Sequence, residues 1–229
     1  MSDFSGFPPG TFQFLSDLED NNTRDWFQAN KQRYEQYFLE PALSFIKAMQ
    51  KPLEKTAPLL KAEPKKVGGS MMRIYKDTRF SKDKTPYKTN IGIQFRHLNG
   101  SDVHAPGIYL HITTDECFLG AGTWRPPSDA LKLIRAYLDE NPDAWKKVLR
   151  SKVFNRSFDL YDDRLKSAPR GYAKDHPQIE SLRLKSFIGM APIKRAQLRK
   201  ATFVTEAQQM IQDAAPLMYF LCEATGQPY

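Results

Sequence analysis

The alternation that decides the fold runs Ile91-Gly92-Ile93-Gln94-Phe95-Arg96 and returns as Ile108-Tyr109-Leu110-His111-Ile112-Thr113. An aliphatic or aromatic side chain falls on every second residue, the period of a strand with one face on a core. Met72 and Ile74, alternating with Arg73 and Tyr75, predict a strand ahead of these two. Thr114-Asp115 predicts a hairpin into Cys117–Ala121. The connections are too short for helical crossovers, so the sheet is expected to be antiparallel.

Outward from the sheet the period becomes helical. Thr11 predicts an N-cap for a short helix with Phe12, Leu15 and Leu18 on one face. A longer helix is predicted from about Thr23 to Phe38. Another begins at Pro41, where the missing N–H is harmless, and carries Leu43, Ile46, Met49 and Leu53. Pro126-Pro127-Ser128 opens a helix that Asn141-Pro142 restarts. Residues 151–175 read as irregular, and Ser186–Met190 as a returning strand. A last helix, about Thr205 to Ala224, contains Pro216 as a kink or restart. No repeat or linker divides the chain. The expected class is therefore α+β: a largely antiparallel sheet packed with several helices, in one domain over residues 1–229.

The 229 residues, 41% hydrophobic and 12% aromatic, are enough for a sizeable core. No apolar run approaches the ~18 residues that cross a bilayer, and the N-terminal residues lack the regions of a signal peptide. Cys117 and Cys222, the only cysteines, lie in apolar patterns and read as core. These features predict a reduced, cytoplasmic protein without a membrane partner. The formal charge of +8 is uneven: residues 61–100 carry +7 and residues 146–200 carry +10, separated by −4 over 101–145.

Chemistry concentrates between Arg73 and Lys88. Six cations, two carboxylates and three aromatics occupy these sixteen residues. With Arg73 on a strand and Arg79 on the following loop, both can point into one recess, where Lys82, Lys84 and Lys88 would match the oxygens of a phosphate or carboxylate. Tyr87 is expected in the same concavity. Asp77 and Asp83 can neutralise some of these cations in a purely architectural network. A carboxylate among cations has a lowered pKa and suits anchoring better than general-base work. Arg170, Tyr172 and His176 make a second polar cluster, and the irregular stretch with Arg170 and Tyr172 is expected to fold back over the loop 76–88. Pro177 offers a structural reading for His176, as a residue before a helix start.

Other chemistries find little support. Gly68-Gly69-Ser70 lacks the P-loop spacing, and no G-x-S-x-G elbow occurs. His97, His104 and His111 recur every seven residues, a spacing that suits no zinc site. No metal is expected, and no cofactor is indicated.

The run Arg73-x-x-Lys76-Asp77-x-Arg79-Phe80-x-x-Asp83-Lys84-x-x-Tyr87 resembles the hallmark of an uncharacterised, mostly bacterial family, domain of unknown function 2461. Asn22-Thr23-Arg24-Asp25-Trp26-Phe27, Gly122-Thr123-Trp124-Arg125-Pro126 and Pro169-Arg170-Gly171-Tyr172, running on through His176-Pro177 to Phe187, are similar to it as well. The resemblance covers the whole chain and implies no activity. Where the family pattern has Arg, this chain has Lys76, which loses the bidentate fork. Three functions stay open on these residues. One is a basic pocket for a phosphorylated or other anionic small molecule. The second is a nucleic-acid-associated protein using both basic blocks, and the third an interaction domain whose motif is only architectural.

Overall fold

Ile91, Ile93, Ile108, Leu110 and Ile112 are fully buried and Phe95 nearly so, so the alternating residues do form one core-facing layer. They sit in the computed structural model of the protein, which describes residues 4–79, 81–99 and 105–229. Phe80 and His104 lie outside the described residues. Strands β1 (Leu60–Lys61), β2 (Ile91–His97), β3 (Gly107–Ile112), β4 (Cys117–Thr123), β5 (Asp159–Leu160) and β6 (Phe187–Pro192) form an antiparallel sheet in the order β1-β2-β3-β4-β6-β5. The hairpin between β3 and β4 turns on Thr114-Asp115. Thr113 closes it, its Oγ1 accepting from the N–H groups of Asp115 and Glu116. With its helices the chain is an α+β protein.

Two compact units divide the chain. The first comprises Met1–Phe95, Tyr109–Leu119 and Pro192–Gln208. Its helices include Pro9–Asp20, Arg24–Ala29, a path running Lys31–Tyr34, Glu35–Leu39 and Glu40–Thr56, and the short Arg195–Leu198. The helix predicted from Thr23 is interrupted at Asn30, and no break precedes Pro41. Instead the Glu35–Leu39 turn is a π-helix that carries the chain into the next segment. The Glu40 N–H reaches the Glu35 carbonyl there, and Pro41 has no N–H to offer the carbonyl of Tyr37 four residues back. Thr11 Oγ1 donates to that carbonyl at 2.6 Å in its place. Thr11 is thus buried inside its helix, and Pro8 takes the N-cap position predicted for it.

The strand predicted over Met72–Tyr75 is replaced by two isolated bridges, Met71↔Ile93 and Tyr75↔Tyr87. Met71 and Ile74 are both buried while Met72 is half-buried. An inward spacing of three residues breaks the two-residue period, which is why the pairing is not continuous.

The second unit comprises Arg96–Ile108, Gly120–Ala191 and Gln209–Tyr229. Helices Ser128–Glu140, Pro142–Leu149 and Ala215–Thr225 pack around Trp145, which is fully buried, meets Phe187 and Phe220, and donates through Nε1 to Ser181 Oγ at 2.8 Å. Pro216 restarts the last helix after the preceding one, Phe203–Asp213, ends. Residues 151–175 are mostly irregular, apart from a 3-10 turn at Phe154–Arg156 and β5, which pairs Asp159 with Met190 and Leu160 with Gly189. Gly122 at φ +125 lets the backbone pass Phe187; a Cβ there would lie 2.2 Å from the Phe187 carbonyl oxygen. Both cysteines are buried thiols. Among the described residues no helix is long and apolar enough to cross a membrane.

Candidate functional site

In the first unit, residues 74–76 and 86–88 run side by side as the stem of a loop. Lys76 N–H donates to the Pro86 carbonyl at 2.9 Å and Lys88 N–H to the Ile74 carbonyl at 2.7 Å. Asn22 holds this stem from outside. Its side-chain amide donates to the Tyr87 carbonyl at 3.0 Å and its side-chain oxygen accepts from Tyr87 N–H at 3.1 Å, so the amide group imitates a paired strand. Thr23 then caps the helix Arg24–Ala29, accepting from Trp26 N–H at 3.3 Å. Phe27 of that helix stacks on Tyr87 with ring centres 4.1 Å apart. Burial pushes the Tyr87 phenol above its ordinary value.

These contacts frame an open concavity of about 550 Å³, within the range of small-molecule sites. One wall is Asn22, Thr23, Arg24 and Gln28. The other is Tyr75, Lys76, Thr78, Lys84, Pro86 and Tyr87. Three cations line it, with no carboxylate among the described lining residues. Lys76 is steadied by Asp83 and by Thr85 Oγ1 at 3.2 Å. Lys84 donates to the Thr78 carbonyl at 2.9 Å. The Arg24 side chain is exposed and lines the recess, its charge acting on the Tyr87 phenol.

Of the residues predicted from sequence, the structure brings Lys76, Lys84 and Tyr87 to this wall. Arg73, Asp77, Arg79, Lys82, Asp83 and Lys88 are not in the lining. Arg79 instead grips Asp77 through Nε at 3.0 Å and Nη2 at 2.8 Å, and its own N–H also donates to Asp77. The Arg79 side chain, then its backbone N–H, holds the Asp77 carboxyl below the usual range, and Arg73 adds to this by charge. Lys76, followed by the Thr85 N–H and hydroxyl, does the same more strongly for Asp83. Both carboxylates are paired with cations of the same loop.

Arg170, Tyr172 and His176 belong to the second unit, and none of them lines the concavity. His176 Nδ1 accepts from Gln178 N–H at 3.1 Å, so the proton sits on Nε2, which meets Asp139 Oδ1 at 2.8 Å. Both ring nitrogens are therefore engaged, one of them in shaping the turn before Ile179–Leu182. Tyr172 lies edge-on to this imidazole at 5.9 Å. Arg170 is exposed.

The two described histidines of the seven-residue spacing, His97 and His111, have separate contacts. His97 Nε2 lies 3.0 Å from the Pro228 carbonyl, and His111 Nδ1 lies 3.1 Å from the Tyr109 hydroxyl. Among the described residues no three His, Cys, Asp or Glu side chains gather as metal ligands.

Sequence reasoning left out Asn22, Thr23, Gln28 and Tyr75 as lining. Asn22-Thr23 ahead of an aromatic helix is a readable capping signal. Its contact with Tyr87, 65 residues away, is not.

No curated protein and no solved structure matches the chain. The family of conserved hypothetical proteins DUF2461 matches it over residues 10–220, and the chain belongs to that family.

Proposed function

We propose that the concavity binds a phosphorylated or otherwise anionic small molecule. The observation that supports this is the lining itself: Arg24 stands on one wall and Lys84 on the other, neither in an ion pair with a described carboxylate, while Lys76 beside Lys84 is already paired with Asp83. Cations on opposite walls repel one another, and an anion between them removes that cost while accepting several charge-assisted hydrogen bonds. The buried thiols and the absence of a membrane-length helix among the described residues fit a cytoplasmic setting for such a ligand.

Titration calorimetry with inorganic phosphate at constant ionic strength tests the reading. Arg24→Ala and Lys84→Ala should each weaken binding about tenfold or more, the usual size of a hydrogen bond to a charged group. Absence of phosphate binding, or affinities equal in wild type and both variants, would refute it. A polynucleotide ligand would betray itself by a log–log salt slope near −0.9 per phosphate neutralised, much steeper than a single anion gives. The architectural reading keeps one part of the loop, the tip, where Asp77 and Asp83 satisfy Arg79 and Lys76.

A further inference from the structure

The cations explain an anion but not the aromatic wall beside them. Tyr75 and Tyr87 face each other across an antiparallel bridge, so their side chains emerge on the same side. Tyr87 is buried, stacked on Phe27 at 4.1 Å, and Tyr75 continues this aromatic series outward at 5.6 Å from Tyr87. Yet Tyr75 is 58% exposed, and it lines the concavity. A large ring at the mouth of a cationic recess is a stacking platform for a planar group. Polar groups around it add a second requirement: Gln28 and Thr78 also line the recess, offering amide and hydroxyl partners that a plain hydrocarbon ring would leave unused.

We infer that the anionic ligand carries a planar heterocycle, as a nucleoside monophosphate does. The phosphate lies against Arg24 and Lys84, and the base stacks on Tyr75 with its heteroatom edge toward Gln28. This rests on the anion-binding reading and names its ligand class. Stacking on an aromatic side chain tolerates any base, so purine and pyrimidine nucleotides should both bind, the purine more tightly.

The test compares inorganic phosphate, ribose 5-phosphate, AMP and UMP by calorimetry on the full chain. AMP should bind at least about tenfold more tightly than ribose 5-phosphate. Tyr75→Ala should reduce that advantage to less than about threefold, and Tyr75→Phe should retain it. Equal affinity for AMP and ribose 5-phosphate overturns the inference and leaves the anion-binding reading intact. Failure of all four compounds to bind overturns both. An AMP advantage that survives Tyr75→Ala also overturns it, because the ring would then lie elsewhere. If Tyr75→Ala does not fold, the wild-type ratio and Tyr75→Phe still decide.

Discussion

The two basic stretches of this chain use their cations in opposite ways. In the second unit, arginines turn inward to the chain itself. Arg183 donates to the carbonyls of Leu165 at 2.7 Å and Lys166 at 3.4 Å, and Arg164 to that of Glu180 at 3.1 Å. Arg135, from the helix Ser128–Glu140, donates to Leu182 and Leu184 at 2.7 and 3.1 Å. Arg156 meets the buried Asp213. An irregular segment leaves many carbonyls without a ladder partner, and a planar guanidinium satisfies two or three at once. In the first unit Arg33 pairs with Asp17, and Arg79 and Lys76 pair with Asp77 and Asp83, while Arg24 and Lys84 reach the concavity without an ion pair among the described residues. Net charge per stretch therefore does not measure what is available to a ligand.

The comparison is most severely tested at Asp213. Its side chain is 1% exposed and accepts from Arg156, from Ser157 Oγ at 2.5 Å and from Gln209 at 3.0 Å. Burial acts to raise its pKa, but the hydrogen bonds led by Arg156 outweigh this and leave it lowered. Asp213→Ala should cost about 1–3 kcal/mol, because it removes the acceptor of three hydrogen bonds, one of them from a charged group, while the exposed Arg156 and Gln209 can turn to water. The sign of the pH dependence follows. A carboxyl with a lowered folded pKa contributes fully above its unfolded value near ~4, and its contribution disappears as pH falls through the folded value. Denaturant unfolding should show the full gap between wild type and Asp213→Ala above about pH 5, narrowing below about pH 4. A gap that widens on acidification would contradict this.

A second contrast separates clasp from ligand cation. Arg135→Ala leaves two carbonyls without their donor and should lower stability by about 2–3 kcal/mol. Arg24→Ala, at an exposed position, should change it by no more than about 0.5 kcal/mol. Thermal unfolding of both variants measures the difference. Equal losses would mean that Arg24 is as architectural as Arg135.

Much of the fold was legible in the sequence because alternation over Ile91–Phe95 and Ile108–Ile112 reports burial directly. Met72 misled because its neighbour Met71 is equally apolar, and only the register with Ile93 chooses between them. The continuous path through Pro41 depended on Thr11 reaching the Tyr37 carbonyl, a contact 26 residues away that no local pattern encodes. β5 is two residues long, too short for any period. At the candidate site, the cation content between Arg73 and Lys88 marked the right loop. It did not mark which cations face the recess. Arg79 turns to Asp77, two residues before it in sequence, and the opposite wall is Arg24 and Gln28 of the helix Arg24–Ala29, with its cap Thr23 and Asn22 just ahead of it.

The central claim, that cations of the first unit and not those of the second await an anion, is tested most directly by locating one. Crystals of the protein soaked in selenate would reveal the oxyanion by its anomalous scattering. The account predicts a peak within hydrogen-bonding distance of Arg24 and Lys84. A concavity without selenate, with peaks instead at Arg164 and Arg183 or at Arg73 and Arg79, would contradict it.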